Sequence, residues 1–118
     1  MPSVAYKKLF EPTILTTGAV TIFTLNTAAG ATTSTILSDL VLRVVNYTAG
    51  AITVTGYAIA SGGSASDDEY FVKEASVPAN DYILVTVPVM AYNGFIQLLA
   101  SAGTSITVHH ESGAPKTP

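Results

Sequence analysis

Cysteine and tryptophan are absent from this 118-residue chain, and only 11% of its residues are charged. Each absence removes a class. Without cysteine there is neither a disulfide scaffold nor a thiol nucleophile. Five Lys and Arg against eight Asp and Glu give a net charge of -3, so no basic face is offered to nucleic acid. Soluble proteins average roughly 25% charged residues. The deficit here accompanies 48% hydrophobic residues, the reverse of intrinsic disorder. An export signal needs an apolar region of about 7–15 residues and a membrane span about 20. Pro12, Thr13, Thr16 and Thr17 interrupt the one stretch near the N-terminus. The expectation is a cytosolic product with no membrane and no nucleic-acid partner.

What is present is a period of two. In Thr35–Tyr47 one parity holds Ile36, Leu40, Leu42 and Val44, and the other holds Leu37, Val41 and Val45 with Asp39 and Arg43 among them. One face is apolar and the other mixed, as in a half-buried strand. Val20–Leu25, Ile52–Ile59, Tyr82–Val89, Phe95–Ala100 and Ile106–His110 read the same way, rich in Val, Ile and Thr. Asp67–Ala75 also reads as a strand, on the strength of Tyr70, Phe71 and Val72. Turn chemistry separates the runs. Asn93-Gly94 predicts a tight type I′ hairpin turn, and Thr48-Ala49-Gly50 a hairpin loop with its glycine left-handed. No amphipathic helix pattern of about 10 or more residues appears. The expected fold is all-β: a single-domain antiparallel β-sandwich, jelly-roll-like, with about 7–8 strands.

That domain is expected over residues 13–111. Residues 1–12 form an arm or edge strand, and residues 112–118 a flexible tail, because Pro115 and Pro118 resist sheet pairing. Tyr6, Leu9 and Phe10 are the apolar residues of the arm and the candidate assembly contacts.

Chemistry finds little purchase. Serines, His109, His110, Asp39 and Asp81 are present, but no G-x-S-x-G nucleophile turn organises them. Adjacent histidines on a strand point to opposite faces, and the chain has no third, which disfavours a zinc site. Asp67-Asp68-Glu69 lacks the surrounding pattern of a calcium loop and reads as a solvated turn. Gly62-Gly63 lacks the lysine of a phosphate loop. The sequon Asn46-Tyr47-Thr48 is usable only in a secretory pathway and reads as coincidence in a threonine-rich chain. No catalytic residue, cofactor or metal is expected. A surface so poor in charge, with few guarded sheet edges, points instead to burial by neighbours.

One resemblance follows from an ordered set of features over residues 4–113. Tyr6-Lys7-Lys8-Leu9 leads into Thr16–Thr24, and Leu40–Asn46 ends in an asparagine before a short turn. A Thr/Val strand at Ile52–Ile59 precedes Ser61-Gly62-Gly63-Ser64-Ala65-Ser66-Asp67, and a late His/Glu strand runs into Ser112-Gly113. In these the chain resembles small bacteriophage virion proteins of the capsid decoration, or cement, kind. The resemblance implies a non-enzymatic β-sandwich on the outer surface of an icosahedral shell, assembled in the host bacterial cytoplasm. Its implied partners are the major capsid protein and further copies of itself, as a dimer or trimer. Two alternatives stand beside it: a tail, baseplate or fibre component, and a carbohydrate-binding sandwich.

Overall fold

Residues 8–66 and 68–117 are described by a computed structural model. Eight strands follow one another: β1 Thr13–Ile14, β2 Val20–Thr24, β3 Val41–Asn46, β4 Ile52–Ile59, β5 Tyr70–Val77, β6 Asp81–Thr86, β7 Phe95–Ala100 and β8 Ile106–Ser112. They form two antiparallel four-stranded sheets, sheet A in the order β1-β8-β3-β6 and sheet B in the order β2-β7-β4-β5. First strand pairs with last, second with seventh, third with sixth and fourth with fifth. That nesting is a long hairpin rolled into a sandwich, the jelly roll.

Alternation builds the core. Along β3, Leu42, Val44 and Asn46 are buried while Val41, Arg43 and Val45 are half-buried on the outside. Leu98 and Ile96 from β7 meet Ile106 and Val108 from β8 in the interior, with Leu15, Leu25, Leu37 and Leu40 closing its ends. Each such side chain contributes about 1.5–3 kcal/mol when taken fully out of water.

Several local expectations change. The ladder of β3 begins at Val41, because Ile36 and Leu37 instead bridge Lys116 and Met90. β6 stops at Thr86, ahead of Pro88. At Asn93-Gly94 only Asn93 takes a positive φ, 65°. The turn is closed by Gly94 N–H donating to Ala91 O at 2.9 Å and leads into β7 without making a hairpin. Thr48-Ala49-Gly50 joins strands of opposite sheets, so it is a crossover, and Gly50 is not left-handed. A short 3-10 turn at Thr27–Ala29 is capped by Asn26, whose Oδ1 accepts from Ala28 N–H at 3.1 Å.

The segment read as a tail is paired. Lys116 N–H donates to Ile36 O at 2.8 Å and Ile36 N–H returns the bond to Lys116 O at 2.9 Å. Thr117 Oγ1 lies 2.6 Å from Thr35 Oγ1. Proline lacks an N–H, but Lys116 between Pro115 and Pro118 keeps its own.

Candidate functional site

Strand register carries the outward residues of sheet A into rows. Ile14, Thr107, Val45 and Tyr82 lie side by side across its four strands, and His109, Arg43 and Leu84 form the next row. Ile14 is 52% exposed, Leu84 54% and Tyr82 44%, unusual values for large apolar residues sharing one face. Two charges sit among them. Arg43 grips Glu111 with two hydrogen bonds, Nε to Oε1 at 2.7 Å and Nη2 to Oε2 at 3.1 Å. Its guanidinium also lies 4.1 Å from the centroid of the Tyr82 ring. The hydrogen bond from Arg43 holds the Glu111 carboxyl below its ordinary range, and the same bond raises Arg43. Both stay charged at neutral pH and cancel, so the face sets exposed apolar side chains around a compensated ion pair.

The arm meets this sandwich at a different place. Leu9 and Phe10 are half-buried against their own domain, and Tyr6 lies outside the described residues. Phe10 packs 6.2 Å from Phe23 and 5.9 Å from the His110 ring, centroid to centroid. Together Leu9, Phe10, Phe23 and Asn26 line a shallow groove of about 320 Å³ along β2. Leu9 N–H donates to His110 Nδ1 at 3.2 Å, and His110 Nε2 lies 2.8 Å from Gly113 O. An amide must donate and a carbonyl must accept, so both contacts are met together by the tautomer that carries its proton on Nε2. The imidazole thus latches the arm to the start of the C-terminal segment. His110→Ala should release the arm, cost about 1–2 kcal/mol and lower Tm by roughly 5–10 °C. Trypsin should then cut after Lys8 several-fold faster. An unchanged cleavage rate would mean that the latch does not hold the arm.

No protein-family model matches the chain, and no curated protein or solved structure matches it. Function has therefore to be argued from the faces themselves.

His109 and His110 do point to opposite sides of β8: His109 lies opposite Arg43 on the outside, His110 inward on the arm. Asp39 pairs with Lys116 at 3.5 Å, and Asp68 Oδ1 accepts from Ser66 Oγ. Asp67 lies outside the described residues. Among the described residues no three His, Asp or Glu gather as a metal centre would require. On sheet B, Tyr57 and Tyr70 stack on each other at 4.7 Å, and the Lys73 ammonium sits 5.0 Å from the Tyr70 ring. Sugar platforms present open aromatic faces, whereas Tyr57 and Tyr70 turn one face of each ring to the other. A second cavity of about 440 Å³, lined by Ile59, Glu69, Val89, Met90 and Tyr92, opens at the end of the sandwich.

Sequence reading did not single out Ile14, Tyr82, Leu84 or the Arg43–Glu111 pair. The signal was there in part. The mixed parity of β3 already separated Arg43 from the core, and the same count along β6 separates Tyr82 and Leu84 from Ile83 and Val85.

Proposed function

We propose that this chain is a non-enzymatic virion structural protein that decorates the outer surface of a bacteriophage capsid, docking on the major capsid protein through sheet A. The observation that carries the reading is the exposed face of that sheet, where Ile14, Tyr82 and Leu84 surround an ion pair already neutralised. Contiguous exposed apolar surface marks interaction sites. Two further points support it: the jelly roll is a fold of viral coat and lectin domains, and of the described tyrosines Tyr57 and Tyr70 stack on each other while the Tyr82 ring lies under Arg43. Fold alone does not assign function, so the face bears the weight.

Mechanistically, a protein that binds the assembled shell but not its dissociated subunits stabilises the shell by RT ln(1 + [L]/Kd) per occupied site. Many copies each making a modest contact suffice. Empty shells of the cognate phage, mixed with purified protein and imaged by electron cryomicroscopy, should carry density across the whole surface. Ile14→Glu combined with Val45→Glu should weaken co-sedimentation at least about tenfold, since a charge in a desolvated apolar contact costs more than 1.4 kcal/mol. Undiminished binding of that variant would remove sheet A as the docking face. Loss on deleting residues 1–11 would pass the role to Tyr6, Leu9 and Phe10. Density at one vertex or on the tail alone would overturn the shell assignment in favour of the tail or fibre reading.

A further inference from the structure

Rolling a sheet into a sandwich leaves four edge strands: β1 and β6 in sheet A, β2 and β5 in sheet B. Unpaired edges invite association and are ordinarily blunted by brevity, bulges, charges or cover. Three are blunted here. β1 has only two residues. β2 is bulged between Thr21 and Phe23 and flanked by Leu9 and Phe10 of the arm. β5 is bulged at its middle, carries exposed Lys73 and Glu74, and turns Glu74 to a φ of 50° so that its N–H reaches Thr55 Oγ1 at 3.0 Å. β6 has no bulge, and its one charge is Asp81 at its first residue. After Asp81 it reads Tyr-Ile-Leu-Val-Thr, six residues paired to β3 in unbroken register.

Its hydrogen-bonding groups can be assigned by parity. Val87 N–H donates to Leu40 O at 2.9 Å in the same register, so odd-numbered residues of β6 bond to β3. In an antiparallel ladder the intervening residues turn their N–H and C=O groups the other way. Tyr82, Leu84 and Thr86 therefore face the open edge. The Tyr82 N–H is taken locally by Asp81 Oδ1 at 2.8 Å, while those of Leu84 and Thr86 have no partner among the described residues.

We propose that β6 is a self-association edge: a second copy of this chain pairs its own β6 antiparallel to it about a twofold axis at Leu84. A twofold contact must match each residue to its symmetry equivalent. Centred on Leu84, the two leucines exchange both backbone bonds, and Tyr82 and Thr86 exchange theirs with Thr86 and Tyr82 of the second copy. The free N–H groups of Leu84 and Thr86 are both used, and the Tyr82 N–H exchanges Asp81 Oδ1 for a carbonyl of the second copy. Centred on Ile83 instead, Thr86 falls opposite Asn80, which lies outside the strand at a φ of 54°. The Leu84 register also keeps like charges apart, because Asp81 then lies opposite Val87. Ile83 and Val85 meet on the inner side, Leu84 meets itself on the outer side, and two four-stranded sheets merge into one continuous surface. Their outer faces become coplanar neighbours. A seam of one strand buries less than the roughly 1,200 Å² of a standard stable interface, so the pair forms at high local concentration. This concerns the free protein in solution and holds whether or not sheet A docks on a shell.

Sedimentation velocity from about 10 μM to about 1 mM should show mass rising towards a dimer with concentration, a range set by the small seam. Leu84→Lys places a charge at the axis and should weaken association at least about tenfold. Leu84→Pro removes only an outward N–H, a change that edge strands tolerate, and should act likewise with an unchanged circular dichroism spectrum. Because the chain has no cysteine, Leu84→Cys can be compared directly with Val89→Cys, which is 65% exposed but away from the edge. Under mild oxidation the first should cross-link to a dimer much faster. A wild type monomeric throughout, a Leu84→Lys variant that associates equally well, or equal cross-linking of the two cysteine variants would each overturn the proposal.

Discussion

Asn46→Ala should be among the most destabilising single substitutions in this chain, costing about 3–4 kcal/mol and most of the cooperative melt. Asn46 is fully buried at the end of β3. Its Nδ2 donates to Gly50 O at 2.8 Å and to Val77 O at 3.0 Å. Its Oδ1 accepts from Thr48 N–H at 2.9 Å and Thr48 Oγ1 at 2.7 Å. The side chain thereby folds the Thr48–Gly50 crossover and ties it to the end of β5, across the two sheets. Alanine leaves the Val77 carbonyl and the Thr48 amide without their side-chain partner at a fully buried position, while Gly50 O keeps only Thr48 Oγ1 at 3.1 Å. Asn46→Asp is the sharper control. It keeps the acceptor but sets a carboxylate against two carbonyl oxygens, so the introduced group's pKa should rise above its unfolded value of about 3.9. The penalty is then fully present above the raised folded value and relieved as pH falls through it. Chemical denaturation at pH 7 and pH 4 decides the matter. A loss below about 1 kcal/mol for Asn46→Ala, or an Asn46→Asp deficit that does not shrink in acid, would refute the role. In the folded protein the same geometry closes the sequon, because Nδ2 is buried and already bonded.

Asn46 also shows how far the sequence could be read. The period of two along β3, β4 and β7 named the fold class, because burial of one face forces alternation and little else in the chain competes with it. Parity says which side of a sheet a residue faces; it is silent on which strand lies beside it. Thr48-Ala49-Gly50 has the composition of a hairpin loop, yet β3 and β4 lie in opposite sheets. What redirects the chain is a buried amide reaching Val77, 31 residues away, and no local signal carries that. The arm was legible as apolar, with Leu9 and Phe10 standing out. Its anchor was not, since His110 lies 101 residues from Leu9. Pro115 and Pro118 suggested a tail for a sound reason, and the exception rests on a single N–H between them. The outer face of sheet A was half legible. Arg43 stood apart in β3, but its partners Glu111 and Tyr82 come from the two strands flanking it, and only the register aligns them.

Gly113→Ala should be nearly as costly, and it should fail in a particular order. Gly113 has a φ of 107°, which a residue with a Cβ rarely adopts. A Cβ placed there would lie 2.6 Å from Asp39 O and 2.7 Å from Leu40 Cα. Both are backbone atoms, and Leu40 is fully buried with its carbonyl engaged by Val87 N–H. The interior side cannot yield, so the C-terminal segment must. Lifting it separates Lys116 from Ile36 and Thr117 from Thr35, and it withdraws the Gly113 carbonyl from His110 Nε2. The imidazole then loses one of the two bonds that set its tautomer, and Leu9 loses a fixed acceptor. A single methyl group at residue 113 should thus loosen both ends of the chain together. The expected cost is about 2–4 kcal/mol, with trypsin cleavage accelerated after Lys8 and after Lys116 alike. Hydrogen exchange should speed up at Ile36, Leu9 and Lys116 while the ladder between β3 and β6 stays protected, because local opening need not reach the core. His110→Ala should reproduce the change at Lys8 without the change at Lys116, since it cuts the latch but leaves the Ile36 bridge. If Gly113→Ala opened the C-terminal segment and left Lys8 as resistant as in the wild type, the two ends would be held independently and the latch would have no reach beyond the arm.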